Sequence, residues 1–143
     1  MLGLLQSLYD NVVITESVFN ELDVGKDDTL ASVNSAIQQG WLVKVVVPIN
    51  DQELTEILDP GEASSIIYSL QYHRIPILID EYKGRRYAKR QGIPVIGTAG
   101  VLILAKQKKL IPLIKPLLQD MKVKGYWLSD QFIDTVATLA GEE

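Results

Sequence analysis

The sequence predicts an α/β protein: a three-layer α/β/α domain built on a mainly parallel sheet. Short Val/Ile-rich runs of strand length recur along the chain, Ile75–Ile79 and Ile93–Ile96 among them, and continuous apolar runs of this kind suit strands buried on both faces. Helix-length amphipathic segments separate them, as parallel pairing requires. Turn segments punctuate the alternation at Asp59-Pro60-Gly61-Glu62-Ala63, Ile79-Asp80-Glu81 and Gly97-Thr98-Ala99-Gly100. Two of these place an acid at a strand or helix end.

In chain order, Leu2, Leu4, Leu5 and Leu8 favour a short first helix, and Asn11 to Thr15 is a β-branched strand. Val18 and Leu22 lie one turn apart on a second helix with Glu21 beside their stripe, stopping near Gly25. Leu30, Val33, Ala36 and Ile37 form the apolar face of a third helix, closed by Gly40 before the strand Trp41–Val47. Asp51 to Leu58 is one more short helix. Asp59 opens a longer one, on which Ala63, Ile66, Ile67 and Leu70 recur at helical spacing. After the strand Ile75–Ile79, the polar, basic segment Glu81–Gln91 reads as a helix closed by Gly92. The strand Ile93–Ile96 leads into a helix over Ala99–Lys109 with Val101, Leu104 and Ala105 facing inward. Helices over Leu113–Met121 and Phe132–Ala140 finish the chain, the last capped by Ser129.

A chain of 143 residues suits one domain, residues 1–143, large enough for a real core, and no linker or repeat marks a second. Apolar residues at 47% and charged residues at 22% describe a folding sequence rather than a disordered one. The net charge of -4 gives no general attraction for nucleic acid, so such binding needs a local basic patch. The absence of cysteine removes thiolate nucleophiles and Cys-based zinc sites and fits a reducing cytoplasm, the expected location. His73, the single histidine, stands near a helix–strand turn and reads as a surface residue. No apolar run is long enough to span a bilayer, and Met1–Leu5 lacks the basic flank of a signal peptide.

The acids admit structural roles. Asp59-Pro60-Gly61-Glu62 is a capping-box helix start, so Glu62 could serve only to bond a backbone N–H. Asp80 and Thr98 are also natural caps, and Glu81 with Arg85 could form a solvated ion pair. In a parallel sheet, however, all strand ends point to one edge, which gathers Asp80, Glu81 and Thr98, with Glu62 joining them. Clustered carboxylates repel unless a cation neutralises them. With oxygen donors only, Mg²⁺ or Mn²⁺ is the economical choice. Trp41 and Trp127 follow glycines and read as packing anchors, and Lys106, Lys108 and Lys109 as a solubilising surface.

Several segments together carry a resemblance. The runs Leu58–Ala63 and Ile77–Glu81, then Arg85-Arg86 with Ala88, and Val95–Leu102 with Ala105-Lys106, resemble the PIN-like family DUF3368. The segment Ile14–Leu22 is similar to another part of that family's pattern, and the likeness covers nearly the whole chain. The resemblance implies an α/β/α PIN fold and a metal-dependent ribonuclease, often the toxin of a toxin–antitoxin pair, with RNA and a small antitoxin protein as partners. It implies that Glu21, Glu62, Asp80 and Glu81 form the catalytic set, with Glu62 on the metal beside the acid after the strand, for which Asp80 and Glu81 are both candidates. Arg85, Arg86, Lys89 and Arg90, with Thr98, are the residues that would meet nucleic acid.

One departure stands out. Members of the family start with a strand ending in an aspartate, whereas this chain starts at the Leu-rich helix, so an N-terminally truncated PIN-like domain without that acid is expected. Asp10, in the turn before the Asn11 strand, is a poor substitute. A missing central strand would leave backbone groups exposed, so either the remaining strands close up or a second copy contributes, and a homo-oligomer is expected. The competing readings are a PIN-like module that binds a protein or RNA without catalysis, and a receiver-like signalling domain. The latter lacks its acidic pair after a first strand.

Overall fold

The computed structural model describes residues 2–22, 28–126 and 128–142. The expected helix end at Gly25 and the expected anchor Trp127 lie outside the described residues. The chain divides into two compact units, Met1–Gly97 and Thr98–Glu143.

The first unit begins with helix α1 (Leu2–Leu8) and strand β1 (Val12–Thr15). Thr15 ends the strand and starts the next helix, because its hydroxyl accepts from the Val18 N–H at 3.2 Å and caps α2 (Glu16–Asn20). Helix α2 is one turn long, and Glu21 is its C-cap. Helix α3 (Thr29–Gln39) buries Val33 and Ala36 and ends on Gly40, whose φ of 91° is the left-handed conformation that a helix stop needs. Strand β2 (Leu42–Val45) pairs with β1 in parallel, from Val12 opposite Leu42 to Thr15 opposite Val45. It is shorter than the expected Trp41–Val47 because its partner turns into α2 at Glu16, leaving Val46 without a ladder. Trp41 packs with Val33, Ala36 and Leu42, as an anchor should.

Helix α4 (Gln52–Ile57) starts on the Asp51 cap, and helix α5 (Pro60–Gln71) on the Asp59 cap. Strands β3 (Ile77–Leu78) and β4 (Val95–Ile96) form a second parallel pair around helix α6 (Tyr82–Arg90). Both strands are shorter than expected, since Pro76 and Pro94 have no N–H for a ladder. Ile79 lies beyond β3 yet still donates its N–H to the Ile96 carbonyl at 2.9 Å. The strand order is β1-β2 in one sheet and β3-β4 in the other, so among the described residues each strand has one strand neighbour. Helix α5 contacts both β1 and β3. Leu54, Leu58, Ala63, Ile66, Ile77, Ile79, Ala88 and Ile93 form the core under α5 and α6. His73 is exposed and, with Arg74, adopts positive φ in the turn before β3.

The second unit holds α7 (Thr98–Gln107), α8 (Lys115–Val123) and α9 (Asp130–Leu139). Thr98 is the first helical residue of α7 rather than a residue ahead of it, and Leu102 is buried where Leu104 was expected. The Ser129 hydroxyl caps α9, accepting from the Phe132 N–H at 3.0 Å. Glu142 lies buried against α8: its carboxylate accepts from the Ile114 N–H at 2.7 Å and the Lys115 N–H at 3.1 Å. It also pairs with Lys106 Nζ at 2.9 Å, and Lys106 in turn donates to the Ala140 carbonyl. Lys106 therefore holds the end of the unit together rather than serving as solubilising surface.

Candidate functional site

The site starts at the first turn of α5. The Asp59 carboxylate accepts from the Glu62 N–H at 2.8 Å, which fixes the helix start and the direction in which Glu62 leaves it. Ser64 is buried one turn in, and its hydroxyl lies 2.7 Å from that of Thr15 while donating to the Gly61 carbonyl at 2.9 Å. Through this pair the end of β1, the start of α2 and the first turn of α5 are tied together. Glu21, at the end of α2, then lies over Gly61: a Cβ on Gly61 would stand 2.5 Å from Glu21 Oε1. Burial raises the pKa of Glu21, helped by the Asp59 charge and opposed by the Gly61 N–H.

The same arrangement repeats one helix further on. The Glu62 carboxylate lies against α6 at Gly84, where a Cβ would stand 2.6 Å from Oε2 and would also collide with Ile79 Cδ1. Only glycine leaves room for both. Glu62 Oε2 is sealed from solvent and, among the described residues, has no hydrogen-bond partner. An unpaired buried oxygen is costly as an anion, so burial, followed by the neighbouring Glu81 and Asp59 carboxyls, pushes Glu62 up to about 7. Glu81 goes the other way. It is exposed and caps α6, accepting from the Gly84 N–H at 3.0 Å, and the Gly84 and Lys83 N–H groups hold its pKa below the ordinary value. Two adjacent carboxyls are thus driven apart, one toward the neutral acid and one toward the anion.

Asp80 is exposed and faces a third glycine. Its Oδ1 and Arg85 Nη1 lie 2.9 Å and 3.1 Å from where a Gly97 Cβ would be. The cap of α6 is Glu81, so Asp80 is not needed as one. Arg85 is half-buried and donates to the Ile79 carbonyl at 2.8 Å, which turns it toward the strand end. Arg86, Lys89 and Arg90 are exposed on the face of α6 opposite the buried Gly84 and Ala88. Thr98 opens α7 in the second unit.

The model of the PIN-domain family DUF3368 matches residues 1–142. The chain belongs to this PIN-domain family. No curated protein and no solved structure matches it. In this PIN domain the short parallel strands and intervening helices are the α/β fold that the sequence predicts.

Divalent metal chemistry is general among PIN domains, so the donors here matter. All are carboxylate oxygens, the type that Mg²⁺ and Mn²⁺ take, and Glu62 Oε2 is a buried acceptor to which none of the described residues donates. Among the described residues, however, no three acids are drawn close enough to hold an ion. The oxygen-donor chemistry is of the kind that suits such an ion, and Glu62 and Glu81 are the two carboxyls that lie side by side. The glycines beneath the acids escape a reading based on acids alone, and the electrostatic reach of Asp59 to both Glu21 and Glu62 escapes one that takes it as a cap. Their signal is the spacing: Gly61 and Gly84 each fall in the first turn of a helix that an acid must approach.

Proposed function

We propose that this PIN domain is a metal-dependent ribonuclease in which Glu62, Asp80 and Glu81 hold Mg²⁺ or Mn²⁺ and Glu21 completes the acid set. The observation that carries the reading is the orphaned, buried Oε2 of Glu62 beside Glu81, two carboxyls whose proton affinities are pushed apart. A divalent ion bound there would supply a nucleophilic water at neutral pH and offset charge at the scissile phosphate. Gly61 and Gly84 set how closely Glu21 and Glu62 approach the helix starts, and Asp59 fixes the turn that carries Glu62. Arg86 and Lys89 offer cations to the phosphate backbone. Arg85 positions the strand end that carries Asp80 through its bond to Ile79. A role as the toxin of a toxin–antitoxin pair, with a small antitoxin protein as partner, belongs to this reading. So does a cytoplasmic location.

The test is cleavage of a labelled RNA with Mg²⁺, with Mn²⁺ and with EDTA. Cation-dependent cleavage supports the proposal; cleavage that EDTA leaves untouched overturns it. The absence of a three-acid cluster among the described residues favours a second reading, a PIN-like module that binds RNA or a protein without cutting. RNA that is bound and remains intact with either cation selects it.

A further inference from the structure

Helix α6 concentrates charge that the rest of the chain does not have. Within Tyr82–Arg90 stand Lys83, Arg85, Arg86, Lys89 and Arg90 with no acid among them, in a chain whose net charge is -4. At about 100° per residue, Tyr82, Arg86 and Lys89 fall on one stripe, flanked by Lys83 and Arg90, while Gly84 and Ala88 face the core. Burial agrees, since both small residues are buried and the stripe is exposed. At the head of the stripe Tyr82 leaves 70% of its surface to solvent, although a tyrosine ring is normally worth burying. Arg90 is held down over the Tyr87 ring, 5.7 Å from its centroid, which fixes one cation of the face. Tyr82 directly follows Glu81, so the stripe begins at the acid pair.

We propose that this stripe is a platform for single-stranded nucleic acid: one base stacks on Tyr82 while the adjoining phosphates lie along Arg86 and Lys89. An exposed aromatic ring next to a line of cations is the combination that binds single strands, because every base has a face to stack and every linkage carries a charge. A duplex hides its base faces and gives Tyr82 nothing to hold. An acidic polypeptide would satisfy the cations but not the ring. Tyr82 is thus a positioning residue that selects unpaired strands for the neighbouring acids. The inference rests on the ribonuclease reading for its setting but not for its test.

The test is binding without divalent cation, so that no cleavage is read. Fluorescence anisotropy with a labelled uridine oligonucleotide measures affinity as salt is varied, for the parent chain and for Tyr82→Ala, Tyr82→Phe and Arg86→Ala. Tyr82→Ala is expected to weaken binding by roughly fivefold or more, and Tyr82→Phe to keep it. Arg86→Ala is expected to lower the slope of log affinity against log salt by about 0.7. Equal affinity of parent and Tyr82→Ala overturns the proposal, as does a parent that binds no oligonucleotide. Equal competition by polyglutamate, or a duplex bound as tightly as the single strand, also overturns it. Binding with these signatures but no cleavage in Mg²⁺ or Mn²⁺ leaves the platform standing and removes the nuclease reading.

Discussion

Gly84 allows a carboxylate to occupy space that any side chain would fill. A Cβ there would press on Glu62 Oε2 and Ile79 Cδ1, so Gly84→Ala must shift the acid, the core isoleucine or the first turn of α6. Overpacking of this kind costs about 1–3 kcal/mol, and urea unfolding should show that loss. An unchanged midpoint would mean that the carboxylate moves aside freely. Glu62 itself imposes a pH dependence. Its folded pKa, about 7, lies above the ordinary 4.5, so the folded state holds the proton more tightly and stability falls as pH rises between those values. Glu62→Gln cannot ionise. The variant should therefore gain on the parent as pH rises from 4.5 toward 7 and hold a constant difference above that. A stability difference flat across this range would contradict the raised pKa.

At the scale of elements, the helices were legible because their signals are local. Asp59-Pro60 and Ser129 announce their helix starts, and Gly40 announces a stop. Strand lengths were not legible, because a strand ends where its partner does: β2 stops when β1 becomes α2, and Pro76 and Pro94 trim β3 and β4. Which acid caps α6 was equally hidden, since Asp80 and Glu81 have the same chemistry and only backbone geometry chooses Glu81. The Glu142 contact was invisible for another reason: it joins residues far apart in sequence to the uncapped start of α8. Burial opposes the charge of Glu142, but the Ile114 N–H, Lys106 and the Lys115 N–H outweigh it and hold its pKa below the ordinary value. Glu142→Ala leaves two backbone donors unpaired and should destabilise by about 1–3 kcal/mol above pH 5. The stabilisation is fully present above the unfolded pKa of 4.5 and fades as pH falls through the lower folded value, so the gap between parent and variant should narrow in acid. Thermal unfolding across that range measures it, and a gap that widens in acid would refute the assignment.

For the whole molecule, fold class followed from the alternation of short β-branched runs with amphipathic helices, and family membership from motifs spread over nearly the full length. The division into two parallel pairs is a long-range outcome that composition does not encode. Unpaired strand edges are prone to pairing, and on that ground we propose a homo-oligomer in which a second copy covers them. Sedimentation velocity should give a species of at least twice the chain mass at micromolar concentration, whereas a single monomeric boundary at every concentration would contradict it. The helix set shows that no described helix is long and apolar enough to cross a membrane. We propose that Glu62 and Glu81 form the heart of a metal-dependent nuclease site. Its most direct test is the rate of cleavage of a labelled RNA in saturating Mn²⁺ by the parent and by Glu62→Gln. Cleavage by the parent and a loss on the order of 10²-fold in the variant are expected; equal rates in the two proteins would contradict the proposed site.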